Sequence, residues 1–322
     1  MNSPIRTPFL LALLLTVARV QTASSQTSSG PEIPATPRVQ EIVDRAAGRA
    51  LKQFADKKLE AGQLAMTLVD LRDPLKPERG SYRGGEQVYP ASVIKLFYLV
   101  AAHRWMEDGK LADSGELRRA LRDMIVDSYN EATGLIVDSL TDTTSGPELS
   151  PAELEQWYDK RNAVNRYFAA LGYKDINVNS KPWCEGPYGR EMQSVKRHAP
   201  NHRNWLTTDA TARLLTEIAT GRAVTPERSR QMMELLKRRP FEKDAESQSR
   251  EYTGKALPEG AKLWSKAGWT SETRHDAAYV ELPSGARFVL VVFTVNHAGE
   301  KEIIPAVTSA IIEALGGSPP VK

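Results

Sequence analysis

A chain of 322 residues, 41% hydrophobic and 26% charged, has apolar material for one large domain or two modest ones, and this composition excludes disorder throughout. A formal charge of +3, lower still once Arg6 and Arg19 of the N-terminal leader are set aside, excludes an electrostatic case for nucleic acid. Cys184 is the only cysteine, which excludes an intrachain disulfide and leaves burial to hold the fold; nothing near it marks a thiolate nucleophile.

The first residues have the pattern of a signal peptide over 1–25. Arg6 gives a positive start, Pro8 to Val17 is apolar, and Thr22-Ala23-Ser24-Ser25 offers small residues for cleavage. The apolar run is well short of the roughly 20 residues needed to span a bilayer, so no stable membrane span is expected after cleavage. A periplasmic or secreted location follows. Gln26 to Pro37, rich in Ser, Gly and Pro, reads as a flexible linker, and the folded domain is expected over 38–322.

Val39 to Lys57 carries Ile42, Val43, Ala46, Leu51 and Phe54 near helical spacing and predicts an amphipathic helix. Alternation over Gln63 to Asp70, a polar turn around Pro74 to Gly80, and Ser81 to Val88 predict a hairpin. From Ser92 to Glu107 the period becomes helical, with a broad apolar face and Gly109 as the stop. Helices are predicted at Leu117–Val126, Glu131–Leu140, Leu154–Leu171, Thr208–Thr220 and Pro226–Leu236, with a long loop over Gly172 to Leu206. Lys237-Arg238-Arg239 reads as a solvated helix end. Strand patterns at Ala261–Trp269, Asp276–Leu282 and Ala286–Val295 predict a meander, and Ile303–Leu315 a closing helix. The sum is an α+β fold: an antiparallel five-stranded sheet flanked by the terminal helices, with an all-helical subdomain inserted over about 92–240.

Ser92-Val93-Ile94-Lys95 places a hydroxyl and an amine one turn apart at the start of the first strongly apolar helix. A serine needs a neighbouring base to become a nucleophile, and a lysine whose ammonium is disfavoured can be that base. Two more elements follow in order: Ser128-Tyr129-Asn130 in a break between helices, and Lys266-Ala267-Gly268 on the first strand of the meander. His198 and His202 are four apart, but Pro200 lies between them and no neighbouring acid completes a metal site. No Gly-x-Ser-x-Gly elbow and no phosphate-binding glycine loop is present.

In this order the three elements resemble the Ser-x-x-Lys, Ser-Asp-Asn and Lys-Thr-Gly set of class A β-lactamases and penicillin-binding proteins. Met124-Ile125 and Thr207-Thr208 resemble the family's local sequence too. The resemblance implies Ser92 as the acylated nucleophile, Lys95 as its proton-handling partner, and Ser128 as the group that passes a proton to the leaving nitrogen. It further implies that Asn130 orients Lys95 and the substrate amide, and that Lys266 attracts a substrate carboxylate and tunes Ser128. The amides of Ser92 and Trp269 would form the oxyanion hole, and Gly268 would let substrate lie along the strand. The substrate class implied is a small-molecule β-lactam or related acyl compound, with no metal or organic cofactor.

Three departures accompany the resemblance. Tyr129 and Ala267 replace an acid and a hydroxyl residue, Ser128 follows Ser92 by only 36 positions, and neither Glu185 nor Glu191 carries the local pattern of a water-activating glutamate. They keep two alternatives open: a penicillin-binding peptidase or esterase with slow deacylation, and a non-catalytic wall- or partner-binding domain. Oligomeric state has no signature in the sequence.

Overall fold

The structure, a computed structural model, describes residues 32–183, 186–197, 203–243 and 246–316. Helix α1 (Pro37–Gln53) opens with proline in its first turn, where no intrahelical N–H is needed, and buries Val39, Ile42, Val43, Ala46, Ala47 and Ala50. Strands β1 (Leu64–Asp70) and β2 (Glu78–Tyr82) form the expected hairpin, the second strand lying earlier than its sequence pattern suggested. After a 3₁₀ turn, α2 (Lys95–Glu107) is buried on every side from Lys95 to His103, so Leu96, Phe97, Leu99 and Val100 each contribute about 1.5–3 kcal/mol on burial.

The helical block continues with α3 (Gly115–Ile125), α4 (Asn130–Thr141), α5 (Pro151–Arg161) and α6 (Ala163–Ala170). The single helix expected at Leu154–Leu171 is thus two helices that meet at Asn162. The expected long loop holds a helix of its own, α7 (Gly189–Lys196), before α8 (Thr208–Ala219) and α9 (Pro226–Leu236). Beyond them come β3 (Lys237–Arg238), the short α10 (Ser247–Arg250), β4 (Lys262–Trp269), β5 (Thr273–Glu281), β6 (Arg287–Val295) and α11 (Ile303–Ala314).

The strands form one antiparallel sheet in the order β2-β1-β6-β5-β4-β3. Six strands replace the expected five, because Lys237 and Arg238 pair with Trp264 and Leu263 rather than ending a helix in solvent. Side chains alternate across the sheet: Val289, Val291 and Phe293 of β6 face the helical block, while Phe288, Leu290 and Val292 face α1 and α11. The predicted α+β architecture, with terminal helices on one face, is therefore the observed one.

The segment before α1 is docked from Ile33 onward rather than a free tether. Ile33 is buried, Ala35 bridges to Arg79, and Arg79 Nε donates to Ile33 O at 3.0 Å. The leader expected over 1–25, Cys184, Glu185, His198 and His202 lie outside the described residues. Among the described residues no helix is long and apolar enough to cross a membrane.

Candidate active site

Ser92 does not sit in the α-helix proper. It occupies a 3₁₀ turn over Ala91–Ile94, and the α-helix starts at Lys95. Ala91, just before it, has φ of +46°, a left-handed conformation that costs a non-glycine residue about 1–3 kcal/mol unless its surroundings enforce it. Two contacts from the sheet do so. His275 of β5 accepts a hydrogen bond from Thr294 N on Nδ1 (3.1 Å), which leaves the Nε2 proton to donate to Tyr89 O at 2.9 Å. Burial pushes the His275 pKa down to about 4, so the ring stays neutral in this structural role.

The second contact is Gly268 of β4. A Cβ there would lie 2.8 Å from Pro90 O and Ser92 N and 2.9 Å from Val93 N. The glycine therefore lets β4 press against the backbone of the nucleophile turn itself. Sequence reasoning assigned it to substrate approach; its first structural requirement is the approach of the Ser92 turn. The Ser92 amide and the Gly268-Trp269 strand end are thereby neighbours.

Lys95 and Lys266 are both fully buried. Lys95 Nζ donates to Ser128 O (2.6 Å), Ser128 Oγ (3.2 Å) and Asn130 Oδ1 (2.9 Å). Lys266 Nζ donates to Ser128 Oγ (2.9 Å), Gln248 Oε1 (2.8 Å) and Ala267 O (2.9 Å). Burial, reinforced by the charges of Lys95 and Arg238, holds Lys266 well below the usual lysine range. Ser128 Oγ accepts from both amines, which leaves its own proton for a further acceptor.

Ser128 is held in place by its backbone and by neighbours not singled out in the sequence. Its φ is +61°, and it stands between the end of α3 and the first residue of α4, Asn130. Arg238 of β3, its side chain fully buried, donates to Ile125 O (3.0 Å), Val126 O (3.4 Å) and Ser265 O (3.0 Å) and pairs with Glu246 (2.6 Å). Gln248 Nε2 donates to Val126 O at 3.0 Å while its Oε1 accepts from Lys266. The chain entering Ser128 is thus fastened to β4 by two side chains. The burial pattern, with Lys237 exposed and Arg238 buried, is the period-2 signature of a strand, but two residues are too few to reveal it in sequence.

The residues that depart from the motif set lie close by. Tyr129 is 58% exposed and Trp269 is 47% exposed, two of the few large apolar side chains at the surface, each adjacent in sequence to a motif residue. Ala267 is fully buried and belongs to the core under α1 and α11. Arg274 of β5 donates to Glu251 (3.2 Å) and lies 3.9 Å above the Tyr252 ring.

Glu191 is occupied elsewhere. Its Oε1 accepts from Arg161 Nη2 (2.7 Å) and Ser145 Oγ (2.9 Å), and Lys181 Nζ is 3.6 Å away. Arg161 is fully buried and also reaches Asp138 (3.3 Å), which Lys181 pairs at 2.6 Å. Two acids and two bases form a closed internal network between α4, α5 and α7. The structure therefore brings Ser128, Asn130, Lys95 and Lys266 into one hydrogen-bonded group, seats Ser92 against Gly268, and gives Glu191 an internal ion-pair partner.

The sequence over residues 112–315 matches the beta-lactamase enzyme family. No curated protein matches the chain. Among solved structures, a beta-lactamase from Sphaerobacter thermophilus aligns with a TM-score of 0.61 at 22% identity, over 86% of this chain and 97% of that one. A mutant of PBP-A, as an acyl-enzyme complex with penicillin G, aligns with a TM-score of 0.61 at 17% identity, over 89% and 99%. The TLA-3 extended-spectrum beta-lactamase aligns with a TM-score of 0.63 at 14% identity, over 85% and 99%. These likenesses extend the fold over nearly the whole length of each of those chains.

Proposed function

Because this chain belongs to the beta-lactamase enzyme family, we propose that it is an exported serine hydrolase that opens β-lactam rings through an acyl-enzyme on Ser92. The observation that carries this reading is the Ser128 hydroxyl, which lies within hydrogen-bond reach of two buried amines, Lys95 and Lys266. A structural serine has no need of two desolvated lysines, each of which is costly to bury.

In the proposed reaction Lys95 takes the Ser92 hydroxyl proton as Oγ bonds to the lactam carbonyl carbon. The amides of Ser92 and Trp269 receive the oxyanion, brought close together because Gly268 lets β4 press against the Ser92 turn. As the ring C–N bond breaks, Ser128 gives its proton to the nitrogen and is reprotonated from the amine beside it. Water then cleaves the Ser92 ester, returning the proton to Oγ and releasing the ring-opened acid. Asn130 holds Lys95 and presents its amide to the substrate.

One observation favours the slow-release variant of this reading. Glu191 is held by Arg161, so it is not available as the base that would activate water for deacylation. With Glu191 so held and Glu185 outside the described residues, this variant of the reading is a chain that acylates and then holds its product, as a penicillin-binding protein does. The test is turnover of a chromogenic cephalosporin by the wild type and by Ser92→Ala. Hydrolysis or a stoichiometric burst lost in the variant supports the reading, and equal rates in the two proteins refute it.

A further inference from the structure

We infer that Gln248 is a positioning residue for acyl transfer: it fixes the rotation of the Lys266 amine so that one position around its nitrogen always faces Ser128 Oγ. This role rests on the reading of Ser92 as the acylated residue and of Ser128 as the proton donor to the leaving nitrogen.

Gln248 lies in α10, the single turn between β3 and β4, and is 4% exposed. Its amide fits only one way round. Nε2 faces Val126 O at 3.0 Å, a group that can only accept, and Oε1 faces Lys266 Nζ at 2.8 Å. A flipped amide would set carbonyl oxygen against carbonyl oxygen at Val126, so the network assigns the orientation. Oε1 is therefore an acceptor, and so is Ala267 O, 2.9 Å from the same Nζ. Each takes one N–H from Lys266 whatever charge the amine carries. The third position around the nitrogen then faces Ser128 Oγ, at 2.9 Å, in both charge states.

What that position holds decides where the Ser128 proton goes. An ammonium donates to Oγ and leaves the hydroxyl proton for the nitrogen of the breaking bond. A neutral amine presents its lone pair instead and draws the hydroxyl proton toward itself, away from the substrate. Gln248 also holds the other side of this contact, because Val126 lies two residues before Ser128, whose φ is +61°. One buried side chain thus ties the turn that carries the hydroxyl to the amine that faces it. Burial is the main reason that Lys266 loses its proton early; Lys95 of α2 and Arg238 of β3 add to it. Asp276, on the opposite face of the sheet in β5, and Glu246 beside α10 work against it.

The experiment follows acylation of Ser92 by benzylpenicillin from about pH 6 to about pH 10, by intact mass of the full chain, in the wild type, Gln248→Glu and Gln248→Met. The wild-type rate is expected to fall on the alkaline side as Lys266 becomes neutral. Glutamate keeps the acceptor and adds a negative charge, so the midpoint of that fall should rise by about one pH unit. Methionine removes the acceptor and leaves an ammonium N–H without a partner, so the midpoint should drop by about one unit. A midpoint does not depend on the folded fraction, so a destabilised variant still reports. Opposite shifts support the role of Gln248. A shift in the same direction in both variants, midpoints within about 0.3 units of wild type, or a wild-type rate with no alkaline fall overturns it. If the wild type is not labelled at Ser92 at any pH, the acyl-transfer reading itself fails; labelling with unmoved midpoints removes only the role given to Gln248.

Discussion

Replacing Glu191 by glutamine tests whether this buried acid belongs to the chemistry or to the scaffold. The change keeps the side chain's shape and an oxygen for Arg161 Nη2 and Ser145 Oγ, but it removes one of the two negative charges that balance Arg161 and Lys181. Arg161 is 0% exposed and Glu191 4%, so solvent cannot screen the imbalance, and two further Arg161 nitrogens, Nε and Nη1, already have no acceptor. Breaking a buried pair on one side costs about 3–5 kcal/mol. For a domain of this size that corresponds to a melting temperature lower by roughly 10 °C. Calorimetry of Glu191→Gln gives the stability, and mass spectrometry of the lactam adduct gives the deacylation rate of the same sample. The account predicts a large thermal shift with an acyl-enzyme lifetime close to wild type. An unchanged melting temperature with a lifetime longer by about 100-fold would make Glu191 the water-activating base and refute the reasoning.

Gly268→Ala inserts a Cβ 2.8 Å from Ser92 N, so Ser92 acylation should fall by about 100-fold while the far-UV spectrum is unchanged; an acylation rate near wild type would show that β4 yields easily. His103 in α2 is buried with neither ring nitrogen partnered, and burial, aided by Arg228, lowers its pKa to about 4. A depressed histidine contributes stability that is full above its unfolded pKa and is lost as pH falls from 6.5 toward 4. Near pH 5 the loss is about 2 kcal/mol, and His103→Phe should flatten the dependence of melting temperature on pH over that window; an unaltered slope would contradict the assignment.

Much of this architecture is legible in the sequence because it rests on strong periodicity. The helix at Pro226–Leu236 coincides with its predicted span, and the meander of β4, β5 and β6 lies within a few residues of the expected strands. The motif residues are legible as an ordered set: Ser-x-x-Lys alone arises often by chance, and it is Ser128-Tyr129-Asn130 and Lys266-Ala267-Gly268 following it in order that single it out. What was not legible depends on partners distant in the chain. Arg238 reads as one of three surface bases until Ile125, Val126 and Ser265 are brought to it, and no local pattern announces that meeting. Glu191 carries no sign of Arg161, 30 residues away. Gly268 was singled out in the sequence, but its neighbour could not be, because the 2.8 Å approach to Ser92 exists only after β4 and the nucleophile turn have packed.

The central claim is that Ser92 is the residue that becomes acylated. Its most direct test is incubation of the wild type and Ser92→Ala with benzylpenicillin, followed by intact-mass measurement and peptide mapping of the modified residue. The account predicts one added lactam per chain, located on Ser92 and absent from the variant. An adduct that persists in Ser92→Ala, or that maps to Ser128 or a lysine, would contradict it.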